Sequence, residues 1–432
     1  MAENTALPNR WMIASMGVLI QLCLGTAYAW SYFQNLVMKV GGWSNAQAAW
    51  TFSILIFMLG VAAAWGGMNL AKFGPKVLAM IGGALYGIGW MIGAYALSVK
   101  SLPLLYVFGF IGGIGLGLGY VTPVATASKW FPDKQGFVTG MVVMGFGLGA
   151  LLMSKVLAPI FMSMTGNNLV TVFTYVGIFM IVFICVPAFF LRMPPAGYVP
   201  AGYTPPAASA TAQKAQAAAT AGECLASPKF LMMWLILFLN IVAGIMFIAF
   251  QSPLLQDLLK LKMDPATDVK DPAVVASLAA AGATLIAISS LFNGIGRFFW
   301  GGLSDKIGRI QAFRIMFATE IAAFLMLLAV KNPWLFGILV CYVLLCYGGG
   351  FGTMPSFVKD VFGVKLMPVV YGVILTAWGC AGVVGPQLVA YMKDHFAAQA
   401  GQYSFAAGAV ILLTGLMISF LLNNAPFAPK SK

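Results

Sequence analysis

Arg297 stands inside a long apolar stretch, with Asn293 four residues before it, Asp305 eight residues after it and Arg309 beyond. On a helix rising 1.5 Å per residue, Arg297 is about 12 Å from Asp305. Were that stretch to cross a bilayer, the arginine would cost roughly 2.5 kcal/mol or more unless it faced a wet cavity or a partner. Its planar fork of N–H donors fits a carboxylate, which accepts two of them at once. Asn293 falls one turn away on the same face, where its amide can donate to the same anion or hold the guanidinium. Glu320 lies at comparable depth in another apolar stretch. A carboxyl there can carry a proton, or rest protonated against a neighbouring helix; the second reading is favoured. Asp257, just past Pro253, is a weaker proton-coupling candidate.

The elements that hold these residues follow from composition. Of 432 residues, 61% are hydrophobic and 8% charged, against about 25% charged in an ordinary soluble chain. That deficit excludes soluble enzymes, disordered scaffolds and secreted disulfide proteins. One histidine, and six cysteines without a Cys-x-x-Cys pair, point to no metal centre and no cofactor. No nucleophile–base pair can be assembled, so no enzyme is expected. The net charge of +13 contains no basic run, which argues against nucleic acid and for the loop bias of a membrane protein.

Twelve apolar stretches are long enough to cross hydrocarbon as helices, at about 12–33, 48–70, 77–97, 102–127, 136–162, 170–193, 228–254, 273–303, 310–330, 334–357, 367–392 and 403–422. They are continuous rather than alternating, which excludes a membrane barrel. With both termini cytoplasmic, fifteen of the 24 Lys and Arg residues fall inside and eight outside, as the positive-inside rule requires. The expected setting is a cell (inner) membrane, multi-pass, with a monomeric chain in the lipid bilayer. Residues 194–227 are small, polar and proline-punctuated, a cytoplasmic linker between a six-helix half at 1–193 and another at 228–432. The halves look duplicated: Lys72-Phe-Gly74 recurs as Lys306-Ile-Gly308, 234 residues later. Such a duplication places a substrate site between the halves, near the bilayer midplane. The glycine string 112–119, with Gly145, Gly147 and Gly149, reads as close helix packing rather than a nucleotide loop, since no strand precedes it.

Twelve spans, a central linker and Gly301-Gly-Leu-Ser-Asp305-Lys-Ile-Gly308-Arg309 together resemble the major facilitator superfamily. Lys129-Trp-Phe-Pro-Asp-Lys-Gln-Gly136, Asn293-Gly-Ile-Gly-Arg297 and Gly25-Thr-Ala-Tyr28-Ala-Trp30-Ser look like its oxalate/formate antiporter family, which also resembles the animal monocarboxylate transporters. The resemblance implies an all-α fold of two pseudo-symmetric six-helix halves. It further implies a cavity lined by Arg297, Asn293, Tyr28, Tyr120, Tyr347 and Phe351, and an intracellular gate at Asp305 and Arg309. This chain departs from the pattern at three points. Ala71 replaces an acid in the first-half loop. Trp378 stands where oxalate carriers have a second cation, a lysine, and Asn293 stands where the animal transporters have an acid. The implied activity is secondary transport of a small organic anion, a monocarboxylate such as lactate, pyruvate or formate, with a proton. The alternative is an exchanger of the oxalate/formate type that accepts dicarboxylates.

Overall fold

The computed structural model describes residues 7–195, 197–203, 219–363, 365–396 and 399–427. Among them, eleven helices are long and apolar enough to cross a membrane. The helix Asn45–Ser98 has 54 residues and is broken at Gly74 (φ 76°, ψ 161°), ahead of Pro75. It therefore makes two crossings, spans 2 and 3, and the twelve expected spans are present. Span 1 is Arg10–Gly41, span 4 Leu102–Trp130, span 5 Phe137–Met164 and span 6 Leu169–Phe189. Spans 7 to 12 are Pro228–Lys260, Pro272–Ile307, Arg309–Leu327, Pro333–Phe362, Val369–Phe396 and Ala400–Phe420.

Several helices outrun the apolar stretches that announce them, ending on Lys260, on Ile307 and on Phe362. Hydropathy marks the lipid-crossing part, whereas the hydrogen-bond ladder continues until a cap or a glycine stops it. The starts are capped by side chains: Ser44 with Gln47 in a reciprocal box, and Asn168, Ser227, Asp271 and Asn332 by donation from the first turn. Gly308 turns span 8 into span 9 with φ 92° and ψ 147°. It repeats the conformation of Gly74, so the duplicated sequence motif is also a duplicated backbone turn that an L side chain would strain.

The glycine string of span 4 packs as expected. A methyl at Gly82 would lie 2.7 Å from the Gly119 nitrogen, and one at Gly89 2.8 Å from Gly112, so spans 3 and 4 touch backbone to backbone. Two further glycine crossings join the six-helix halves. Gly60 of span 2 meets Leu375 and Gly379 of span 11, and Gly147 of span 5 meets Gly294 of span 8. Of the linker, 194–195, 197–203 and 219–227 are described and carry a short helix, Ala221–Leu225, boxed by Thr220 and Glu223. Residues 196 and 204–218 lie outside the described residues.

The bundle has two ends. The near end carries Arg10, Gly74, Asp133 and Gly308; the far end carries the turns at 42–44, 99–101, 165–168, 261–271 and 328–332. At the near end Arg10 forms a paired contact with Asp133 (2.7 and 3.0 Å) that ties span 1 to the loop before span 5. That hydrogen bond holds the Asp133 carboxyl below the usual carboxylate range.

Candidate anion site between the two halves

Span 1 loses its α-helical winding for one short segment, Gly25–Ala29, which is 3₁₀. Gly25 presses against the backbone of Phe146 on span 5, and the tighter winding turns Tyr28 inward. Its hydroxyl bonds to that of Tyr347 on span 10, joining the halves through the middle of the protein. Mid-helix 3₁₀ turns often mark functional positions.

Around this bond an aromatic cage closes. The Trp378 indole lies 4.8 Å from Phe351, 5.0 Å from Tyr120, 5.4 Å from Phe146 and 6.1 Å from Tyr28, ring centre to ring centre. Most of these pairs are edge-on, the arrangement aromatic quadrupoles prefer. All of these side chains are buried.

Arg297 enters the cage from span 8. Its guanidinium carbon lies 4.9 Å from the Phe351 ring centre and 5.9 Å from that of Phe146. The side chain is 1% exposed, and none of its three nitrogens has a hydrogen-bond partner among the described residues. No carboxylate among the described residues lies within 4.0 Å. The same holds for the polar atoms around it: Tyr120 and Tyr371 hydroxyls, Trp378 Nε1 and Asn293 Oδ1 are all buried and make no hydrogen bond within 3.5 Å among the described residues. Native proteins satisfy nearly every buried polar group, because each one left unmade costs about 1–3 kcal/mol. All of these except Asn293 Oδ1 sit on groups that donate. A buried set of donors with one fixed positive charge is the complement of a small anion. Asn293 also borders a small cavity of about 10 Å³ with Tyr28, Gln251, Ser289 and Ser290.

The structure thus gathers Arg297, Asn293, Tyr28, Tyr120, Tyr347, Phe351 and Trp378, and adds two residues missed in the sequence, Phe146 and Tyr371. Tyr371 is within electrostatic reach of both Arg297 and Tyr120. Phe146 is flanked by Gly145 and Gly147, whose close packing is the one sequence signal that an intervening aromatic was pinned there.

The remaining candidates lie elsewhere. Glu320 is fully buried on span 9, accepts from Asn240 Nδ2 of span 7 at 3.1 Å, and has no cation within 4.0 Å among the described residues. The Asn240 side-chain Oδ1 presses on Gly350 of span 10, so this pair stands behind the helix whose Tyr347 and Phe351 form the cage. Asp257 is at the far end, paired with Lys393 and 3.8 Å from Lys260. Asp305 pairs with Arg309 at 2.5 Å, and Arg309 reaches Asp360 at 3.0 Å and Ser304 at 2.6 Å. These gate candidates therefore make a cluster within the C-terminal half at the near end.

Hydrogen bonds between the halves gather at mid-depth and toward the far end. Ser290 of span 8 donates to the Gly147 carbonyl at 2.6 Å and accepts from Leu151 N at 3.1 Å. Lys155 of span 5 meets Thr284 of span 8 at 2.7 Å, and Gln387 meets Ser53 at 3.3 Å. Asp394, near the end of span 11, accepts from Asn45 N at 3.2 Å, Asn45 Nδ2 at 2.9 Å and Ala46 N at 2.9 Å. At the near end the halves meet through the Phe137 and Phe298 rings, 5.9 Å apart.

Comparison with known proteins agrees with this architecture. A family profile described as Major Facilitator Superfamily matches residues 12–386. The "Oxalate:formate antiporter" of Oxalobacter formigenes is 28% identical over 90% of this chain and 86% of its own. "Apicoplast pyruvate carrier 1" of Toxoplasma gondii is 26% identical over 83% and 79%. Among solved structures, a bacterial homolog of the human lysosomal transporter Spinster, inward-facing and occupied, superposes with a TM-score of 0.68. That likeness is at 16% identity over 96% of this chain and 97% of the other, and speaks to the fold.

Proposed function

Because the chain belongs to the Major Facilitator Superfamily, we propose that this transporter moves a small monocarboxylate of lactate, pyruvate or formate size by alternating access, with a proton accompanying the anion. One observation carries the reading: a single unpaired cation, Arg297, buried in a cage whose opposite wall is the Trp378 indole. The carboxylate takes the guanidinium fork with Asn293 beside it. The apolar end lies on Trp378, Phe351 and Phe146, and the Tyr120 and Tyr371 hydroxyls remain for a further oxygen. Relatives named for oxalate, formate and pyruvate support a small carboxylate.

In this reading the near end is cytoplasmic in a cell (inner) membrane, residues 194–227 link the halves there, and Asp305 with Arg309 forms part of the gate on that side. Glu320 and Asp257 are the candidates for handling the proton. A second reading, an exchanger that also takes dicarboxylates, is favoured by the whole-length similarity to the oxalate:formate antiporter. Counterflow in proteoliposomes tests both. A panel of mono- and dicarboxylates is run with and without a pH gradient. Monocarboxylate uptake stimulated by the gradient supports the first reading, and exchange of oxalate indifferent to it supports the second.

A further inference from the structure

Lys155 is a cation with no evident task in the central site. Span 5 carries it on a π-helical turn, Met153–Leu157, a local widening of the helix that recurs at functional positions. The residue is exposed, yet it lies only about 7 Å from the midpoint of its span at 1.5 Å per residue. Thr284, its partner at 2.7 Å, lies about 8 Å from the midpoint of span 8, on the same far side. An ammonium at that level snorkels toward the headgroups. Its one hydrogen bond is to a neutral hydroxyl, and no carboxylate among the described residues lies within 4.0 Å.

Thr284 also lines a groove of about 860 Å³ between the far parts of spans 7, 8 and 10. Its walls are apolar, with Leu259, Phe292, Trp334 and Ile338 among them, and Lys262 stands at its edge. Trp334 is 84% exposed, as a side chain at the headgroup level is. Lys262, like Lys155, has no carboxylate within 4.0 Å among the described residues. An apolar trough in the bilayer with two unneutralised cations beside it fits a molecule with an acyl chain and an anionic head.

We propose that this groove binds an anionic phospholipid of the far leaflet, one acyl chain lying along Phe292 and Ile338 and its anionic head at the outer mouth of the groove, where Lys262 stands and toward which the deeper Lys155 can extend. Lys155 belongs to the N-terminal half and the groove to the C-terminal half, so the lipid spans the seam and favours the arrangement in which the far ends are together. The site is independent of which carboxylate is transported.

The test is native mass spectrometry of the full chain released from detergent with phosphatidylglycerol and phosphatidylcholine of equal chain length. The protein should retain phosphatidylglycerol at least fivefold over phosphatidylcholine. Lys155→Gln with Lys262→Gln should bring that preference to near unity at unchanged melting temperature, and Ala281→Trp, which fills the trough, should lower retention of phosphatidylglycerol by itself. Excess inorganic phosphate should not displace the lipid. Equal retention of the two lipids by the native protein, an undiminished preference in the double variant, or displacement by phosphate would each overturn the proposal.

Discussion

Asp394 of span 11 caps the first turn of span 2 at Asn45, 349 positions away and in the opposite half. A carboxylate at a helix N-terminus is stabilised by free N–H groups and by the helix dipole. This contact has to break if the far ends part. Removing an acceptor for first-turn N–H groups costs about 1 kcal/mol. Asp394→Ala should therefore move the balance toward far-end opening about fivefold, and Asp394→Asn should do less. Spin labels at Val99 and Val269, both exposed at the far end, would report it as a growing long-distance population. An unchanged distance distribution would remove Asp394 from the closure.

Arg297→Gln should abolish transport while the protein still inserts and folds. The loss of one charge-assisted pair alone predicts about 100-fold. Arg297→Lys should fail nearly as badly, because a point ammonium cannot offer two parallel donors. Labelled-substrate uptake, alongside melting temperature, checks both; near-normal uptake by the Gln variant would discard the anchor.

Trp378 should decide charge selectivity. A dianion held by Arg297 would turn its second carboxylate toward an apolar ring, at a desolvation cost of several kcal/mol. Lactate-sized monocarboxylates should therefore compete for uptake, and oxalate should not. Trp378→Lys should weaken the monocarboxylate and begin to admit oxalate. Strong oxalate inhibition of the native protein would instead favour the dicarboxylate exchanger.

Glu320 accepts from Asn240 and, among the described residues, has no cation within 4.0 Å. Glu320→Gln preserves its shape and its place beside Asn240. Both pH-driven accumulation and anion exchange should survive it, as for a structural acid. Loss of accumulation with exchange intact would make Glu320 the proton carrier.

What the sequence displays and hides follows from which forces act locally. Hydropathy registers the twelve crossings because each must satisfy lipid by itself, whatever its neighbours do. Arg297 is conspicuous because a charge in an apolar stretch always needs a reason. Gly74 and Gly308 are legible as a repeated motif, and their shared turn is a local matter of φ. Phe146 and Tyr371 are different: one more aromatic in an apolar run carries no mark of the face it occupies. Asp394 meets Asn45 only through the packing of two halves, and no local pattern announces such a partner.

The glycine crossings at Gly60 with Gly379 and Gly147 with Gly294 have a consequence for how cargo travels. Backbones pressed together at mid-depth behave as a pivot, where displacement is least while the ends swing most. The site around Arg297 sits beside that pivot. In the proposed cycle a bound anion would thus be held almost still while the barriers exchange places around it. Distance across the membrane would then be covered by the protein's ends opening onto one solvent and then the other, with no carriage of the cargo itself. A side chain as small as a methyl at either crossing would act as a wedge at the fulcrum, felt at both mouths though it touches neither.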